Sequence, residues 1–363
     1  MKVLISFSGV FLVFFFVSFQ LSGQDNKTAK IAVIQASGSP IQDPFMDSYD
    51  FSMVKPQMVA HLNKLLGLFE EAGQKGADLV CGPEDMQHIG AYGLYINEND
   101  PETGKILFNS LAVPIPCPLT DQIAEIANKY KMYIIAPIYE AAGDTIYNTA
   151  VVFDRQGKII GKHRKTVLPI METWLVSLGD KYEVYKADFG NFAVATCWEI
   201  SYPEISTIYA LNGADIIFNP TMAPDNKPGE SLETAPMFVT RAKDNGVYIA
   251  PVVLGDDGNG IIDFNGNVVA EAIGKKNAVI IAEIDFSKEP ANESKWWEPI
   301  NGTKNTKAMH LKSRRPETYQ MLTNPNPPVL EKYRHIHLTT GDRERQLKAV
   351  QEVNYGTRNK IKK

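Results

Sequence analysis

Past its first two dozen residues the chain alternates short apolar runs with longer segments of helical spacing. Residues 30–36, KIAVIQA, predict a strand. Residues 55–73 place Met58, Leu62, Leu65, Leu66 and Phe69 on one helical face. Further strands are predicted at 79–82, 133–138, 147–153, 192–196, 216–219 and 248–253, several of them apolar at every position, as strands buried on both faces are. Strands alternating with helices make the fold class α/β.

Two segments share one layout. Gly76-Ala77-Asp78-Leu79-Val80-Cys81-Gly82-Pro83 and Gly213-Ala214-Asp215-Ile216-Ile217-Phe218-Asn219-Pro220 each read as a helix end, a buried strand and a proline stop. This echo predicts two related halves, with Glu84 and Thr221 at the carboxyl ends of corresponding strands, where open α/β sheets build their sites. Hairpins are expected within 151–162, turning at residues 154–157, and within 260–269, turning at Asn265-Gly266.

The N-terminus breaks this pattern. Met1-Lys2 precedes an apolar run to about Val17 and then the polar stretch SFQLSGQDNK, which is a signal-peptide layout. We expect residues 1–24 to be a signal peptide, 25–323 one catalytic domain and 324–363 a polar C-terminal extension, in a secreted or periplasmic protein that meets the membrane only through this signal. An uncleaved anchor is the alternative. With 37 Lys and Arg against 42 Asp and Glu the net charge is -5, so there is no basic surplus for a nucleic acid. Three cysteines, Cys81, Cys117 and Cys197, are too few for a disulfide scaffold, and an odd number leaves at least one thiol unpaired. Cys81 and Cys117 are the candidate pair.

Three stretches carry chemistry. Residues 191–199, NFAVATCWE, run a strand into Cys197, and a helix follows to Leu211, so the thiol sits at a strand-to-helix elbow. Residues 157–169 deliver Lys162, His163, Arg164 and Lys165 into a proline-ended loop. A cation there suits a thiolate or an oxyanion, and Lys162 and Arg164 also fit a solvated basic edge. Gly82-Pro83-Glu84 sets a carboxylate at a strand end, where burial raises its affinity for a proton.

These motifs, with Tyr147-Asn148-Thr149-Ala150 and residues 196–204, TCWEISYPE, resemble the nitrilase, or carbon–nitrogen hydrolase, superfamily over residues 30–322. The resemblance implies a four-layer α-β-β-α sandwich, Glu84 as general base, Lys165 as oxyanion stabiliser and Cys197 as nucleophile. It also implies Glu172, seven residues after Lys165, as a partner of that lysine, and the backbone N–H of Trp198 as an oxyanion donor. Neither metal nor organic cofactor is implied, and the expected assembly is a homodimer or higher homo-oligomer through residues 202–211, with 314–319 as a second contact.

The implied substrate is a small-molecule amide, with a nitrile as the alternative; Cys197-Trp198-Glu199 looks more like the nitrilases. Ile200 and Ser201 stand where relatives that grip a carboxylate place arginine, which favours a neutral substrate. Trp174, Trp198, Tyr202 and Met222 are the candidate pocket, with 221–229 as its rim. A non-catalytic binding protein and an N-acyltransferase are the rival classes. His335 and His337 form a weak metal pair, and three glycosylation sequons begin at Asn26, Asn292 and Asn301. The export reading predicts that N-terminal sequencing of the secreted protein begins near Gly23 or Gln24; a mature chain that begins at Met1 or Lys2 refutes it.

Overall fold

Among the described residues twelve strands pair into two sheets whose plans match. The protein was analysed as a computed structural model that describes residues 27–37, 49–90, 92, 99–223 and 225–336, so the expected signal peptide, His337 and the rest of the tail lie outside the described residues. One sheet holds β1 (Thr28–Ala36), β2 (Leu79–Cys81), β3 (Tyr133–Ala142), β4 (Thr145–Phe153), β5 (Ile159–Arg164) and the late strand β12 (Asn277–Asp285). The other holds β6 (Val184–Lys186), β7 (Asn191–Val194), β8 (Ile216–Thr221), β9 (Tyr248–Val253), β10 (Gly260–Ile262) and β11 (Val268–Glu271).

Their orders are β12-β1-β2-β3-β4-β5 and β6-β7-β8-β9-β10-β11. In both, the successive pairs are antiparallel, parallel, parallel, antiparallel and antiparallel. The echoed segments therefore supply the third strand of each sheet. Gly76 and Gly213, at φ 78° and 90°, make the left-handed turns that lead into β2 and β8.

The second half of the echo needs correction, because Pro220 does not stop its strand. Phe218 accepts from Ala195 on the β7 side, so two residues later the nitrogen of Pro220 faces that same side. There β7 has already ended at Val194, and Pro220 pairs only with Val252 of β9. A residue without an N–H is tolerated where no acceptor waits for one.

Strand alternation divides the core. Ile31, Val33, Leu79, Ile135 and Ala150 face Phe192, Val194, Phe218 and Ala250 between the sheets. The alternate residues Val80, Ile134 and Val151 take Leu65 and Phe69 of α1 (Val54–Gln74) with Ile123 and Ala127 of α3 (Pro118–Tyr130); the short α2 (Leu107–Leu111) packs at one end. On the far side Ala193, Ile217 and Ile249 take Tyr209 of α4 (Pro203–Leu211) and Phe238 of α5 (Pro236–Asn245). The result is the expected α-β-β-α layering.

Phe192 is fully buried at the centre of the inter-sheet layer, with ring contacts to Tyr133, Tyr185 and Phe218. Phe192→Ala is expected to cost about 3–5 kcal/mol in urea unfolding, because both sheets lose the same knob; a cost below about 1 kcal/mol would contradict this packing.

Candidate active site

The two-residue period of β5 sorts its basic cluster. Lys162 and Arg164, 34% and 31% exposed on the edge strand, point to one face and clamp the buried Glu140 at 2.6 and 2.9 Å, so the basic edge that the sequence suggested is also ion-paired. That clamp holds the Glu140 carboxyl down at about 2: burial pushes it up, and hydrogen bonds from Arg164, Lys162 and Thr149 outweigh burial. His163 points to the inner face, and so does Lys165, which follows the strand and donates its N–H to Asn148 at 2.9 Å.

On that inner face three buried groups meet. The Lys165 ammonium, 1% exposed, lies 2.9 Å from Glu84 Oε1 and 2.6 Å from Glu172 Oε2. Glu84 is brought there by the Gly82-Pro83 exit from β2, and Glu172 opens a 3-10 turn to Trp174. Asn148 of β4 donates to both carboxylates, at 2.8 Å to Glu84 and 2.7 Å to Glu172. Glu84 Oε2 is buried and takes no hydrogen bond from the described residues, which leaves it open to a proton.

The cysteine arrives from the other sheet. After β7 the chain makes one more sheet bond, Ala195 N–H to Phe218 carbonyl, and then bends into a 3-10 turn (Cys197–Ser201) ahead of α4. Cys197 sits at that bend with φ 51°, a left-handed conformation that a side chain strains against. The Asn219 amide, one strand over, bonds the carbonyls of Ala195 and Cys197.

Burial pushes the Cys197 thiol up to about 12 and the Glu84 carboxylate adds to this, whereas Lys165, the Thr221 hydroxyl and the Met222 N–H pull it down. Burial also works against the Lys165 charge, but Glu84 and Glu172 outweigh it and hold the ammonium well above the usual lysine range. Glu172 is raised by burial and by Glu84, against the pull of Lys165. Two carboxyl groups thus share one ammonium, and no surplus positive charge is left to keep a thiolate. Burial thus leaves Cys197 a neutral thiol.

The carbon-nitrogen hydrolase family model matches residues 30–289. The chain belongs to that family. A bifunctional nitrilase/nitrile hydratase from Nicotiana tabacum is 35% identical over 173 residues, 45% of this chain and 49% of that protein. The chain thus spans about half the length of that relative. An omega-amidase from Xenopus tropicalis is 29% identical over 258 residues, covering 64% of this chain and 86% of that one. Among solved structures, an amidase from Nesterenkonia sp. AN1 superposes with TM-score 0.59 at 15% identity, over 80% of this chain and 98% of that chain. A Saccharomyces cerevisiae member of branch 10 of the nitrilase superfamily gives 0.53 at 24% identity, over 71% and 90%. The sandwich is the fold that these structures share.

For this family member the remaining candidates divide. Trp198, Tyr202 and Met222 are 45%, 40% and 43% exposed, so none of them is enclosed in a pocket; the Trp198 indole donates to the Tyr202 hydroxyl at 3.2 Å. Trp174 is half-buried, and its indole N–H has no partner among the described residues. All three cysteines are free thiols: Cys81 lies in the inter-sheet core and Cys117 caps α3, so the candidate disulfide is not formed. Among the described residues no group of three or more potential ligands could hold a metal, and His335 stands exposed.

Sequence reasoning gave no role to Asn148, Asn219, His163 or Glu199. A polar residue inside an otherwise apolar strand was the available signal for Asn148 and Asn219. The opposed fields make a prediction. In a pH titration of thiolate absorbance, Glu84→Gln should lower the Cys197 midpoint and Lys165→Met should raise it; a midpoint that moves in neither variant shows that these charges do not act on the sulfur.

Proposed function

We propose that this chain hydrolyses a small neutral amide, with Cys197 as nucleophile, Glu84 as proton carrier and Lys165 as oxyanion partner. The observation that carries the reading is the single buried ammonium shared by Glu84 and Glu172, with the Cys197 thiol in the field of both Glu84 and Lys165. Neither a deep structural lysine nor a paired carboxylate calls for a thiol strained into a left-handed bend beside it.

The chemistry runs in two stages. As Cys197 Sγ bonds to the carbonyl carbon, its proton passes to Glu84 Oε2. The oxygen that gains the negative charge is held by the Lys165 ammonium and, in this reading, by the Trp198 backbone N–H. Glu84 then gives the proton to the nitrogen, the C–N bond breaks, and ammonia or an amine leaves a thioester. Water attacks that thioester while Glu84 takes its proton; the C–S bond breaks, the acid departs and the sulfur recovers the proton. Glu172 and Asn148 hold Lys165 and Glu84 in register throughout, and the free thiol lets the cycle start from a neutral nucleophile.

A second reading is a nitrilase. It is favoured by the Cys197-Trp198-Glu199 motif and by the 35% identity to the tobacco nitrilase/nitrile hydratase. The amidase reading stands first because the omega-amidase similarity runs over more of both chains. The exposed Trp198, Tyr202 and Met222 support an apolar group beside the scissile bond in either case. The export signal and a homo-oligomeric state belong to the same proposal.

Ammonia release from paired panels of amides and nitriles separates the two readings. Cys197→Ala should lower turnover by at least about 10³-fold with stability little changed. Lys165→Met should lower it as far and also cost about 3–5 kcal/mol of stability, since it strands two buried carboxyls without their counter-charge. Wild-type turnover in purified Cys197→Ala ends the proposal.

A further inference from the structure

The basic stretch that delivers Lys165 and the triplet that contains Cys197 each hold one more buried ionisable group, and the mechanism above uses neither. Glu199 is fully buried and His163 is 2% exposed. Glu199 Oε1 accepts the N–H and the hydroxyl of Thr166, at 2.8 and 2.6 Å; Thr166 directly follows Lys165. Glu199 Oε2 accepts the N–H of Thr196 at 2.5 Å; Thr196 directly precedes Cys197. The same oxygen lies 2.7 Å from His163 Nε2. One carboxylate therefore bonds the residue after the lysine, the residue before the cysteine and the histidine two places ahead of the lysine.

The hydrogens can be counted. The Tyr209 hydroxyl has one, and at 2.6 Å it goes to the carbonyl of Val194, which can only accept. At its 3.3 Å contact with the Tyr209 oxygen, His163 Nδ1 must then be the donor. A hydrogen also lies between Nε2 and Oε2. Burial raises Glu199, but His163 and the Thr166 donors more than offset this and hold it below the usual carboxylate range.

We propose that His163 and Glu199 form a buried imidazolium–carboxylate pair that locks the Cys197 elbow to the strand that presents Lys165, so that both are positioning residues. The pair makes the spacing between sulfur and ammonium a fixed quantity of the fold. This rests on the hydrolase reading for its consequence in turnover, but the pair itself can be seen without turnover.

Two measurements on the full chain test it. In nitrogen NMR of histidine-labelled protein at pH 8, one histidine should show two protonated ring nitrogens, and its signals should vanish in His163→Gln. In Glu199→Gln, iodoacetamide alkylation of Cys197 well below the melting temperature should slow by about 100-fold, and on whichever amide the wild type turns over, kcat should fall by a similar factor with KM little changed. A purely structural role would lower the melting temperature and leave both rates intact. Glu199→Asp, which keeps the charge, should recover part of the alkylation rate. If Glu199→Gln does not fold, Thr166→Val removes one donor from the same carboxylate and should slow alkylation by about 10-fold. A singly protonated His163 ring overturns the pair, and wild-type alkylation in a folded variant overturns its positioning role. A wild-type chain that releases no ammonia from any substrate would count against the hydrolase reading alone, because the nitrogen spectrum and the alkylation rate remain readable.

Discussion

One ammonium shared between two carboxylates organises this molecule. Lys165 is 1% exposed, and a charge so placed is tolerable only when partners compensate its lost water. Glu84 and Glu172 do so, and Asn148 fills further acceptor sites on both. The requirement reaches backward into the fold, because each partner comes from a different strand end or turn, and they can converge only if β2, β4 and β5 keep their register. The same cluster acts on the Cys197 thiol, which Glu84 raises and Lys165 lowers.

Much of this was legible in the residues. Alternation and helical spacing give α1 and most of the expected strands to within a residue or two, but β3 runs four residues past its expected end and β6 and β12 were not expected; the repeated layout at Gly76 and Gly213 pointed to two related halves. Glu84, Lys165 and Cys197 could be named because each stands at an element end, where a polar or reactive group interrupts an apolar pattern, whereas Glu172 came only from the family resemblance. What the sequence hid was contact between distant elements. Asn148, inside β4, and Glu199, beyond the cysteine, act through partners far away along the chain, and no local period marks such a pairing. Pro220 misled for a related reason: whether a proline ends a strand depends on what the neighbouring strand does at that level, and here β7 had already turned away.

The matched sheets divide labour. The first holds the charged groups, through β2, β4 and β5; the second brings the sulfur from β7 and steadies it with Asn219 and Thr221 of β8. Carboxylates, ammonium and thiol thus stand on two separately hydrogen-bonded frames that meet across the layer around Phe192. Their relative placement is then a property of inter-sheet packing as much as of any local turn, and a void in that layer would be felt at the site.

The left-handed backbone at Cys197 has a consequence for how this chain is conserved as a folding unit. Any residue with a Cβ in that conformation carries a standing cost of roughly 1–2 kcal/mol, and glycine alone escapes it. A chain judged by durability alone would drift toward glycine there and lose its sulfur. The cysteine at this bend of the second sheet thus sits against a backbone preference that glycine would not feel.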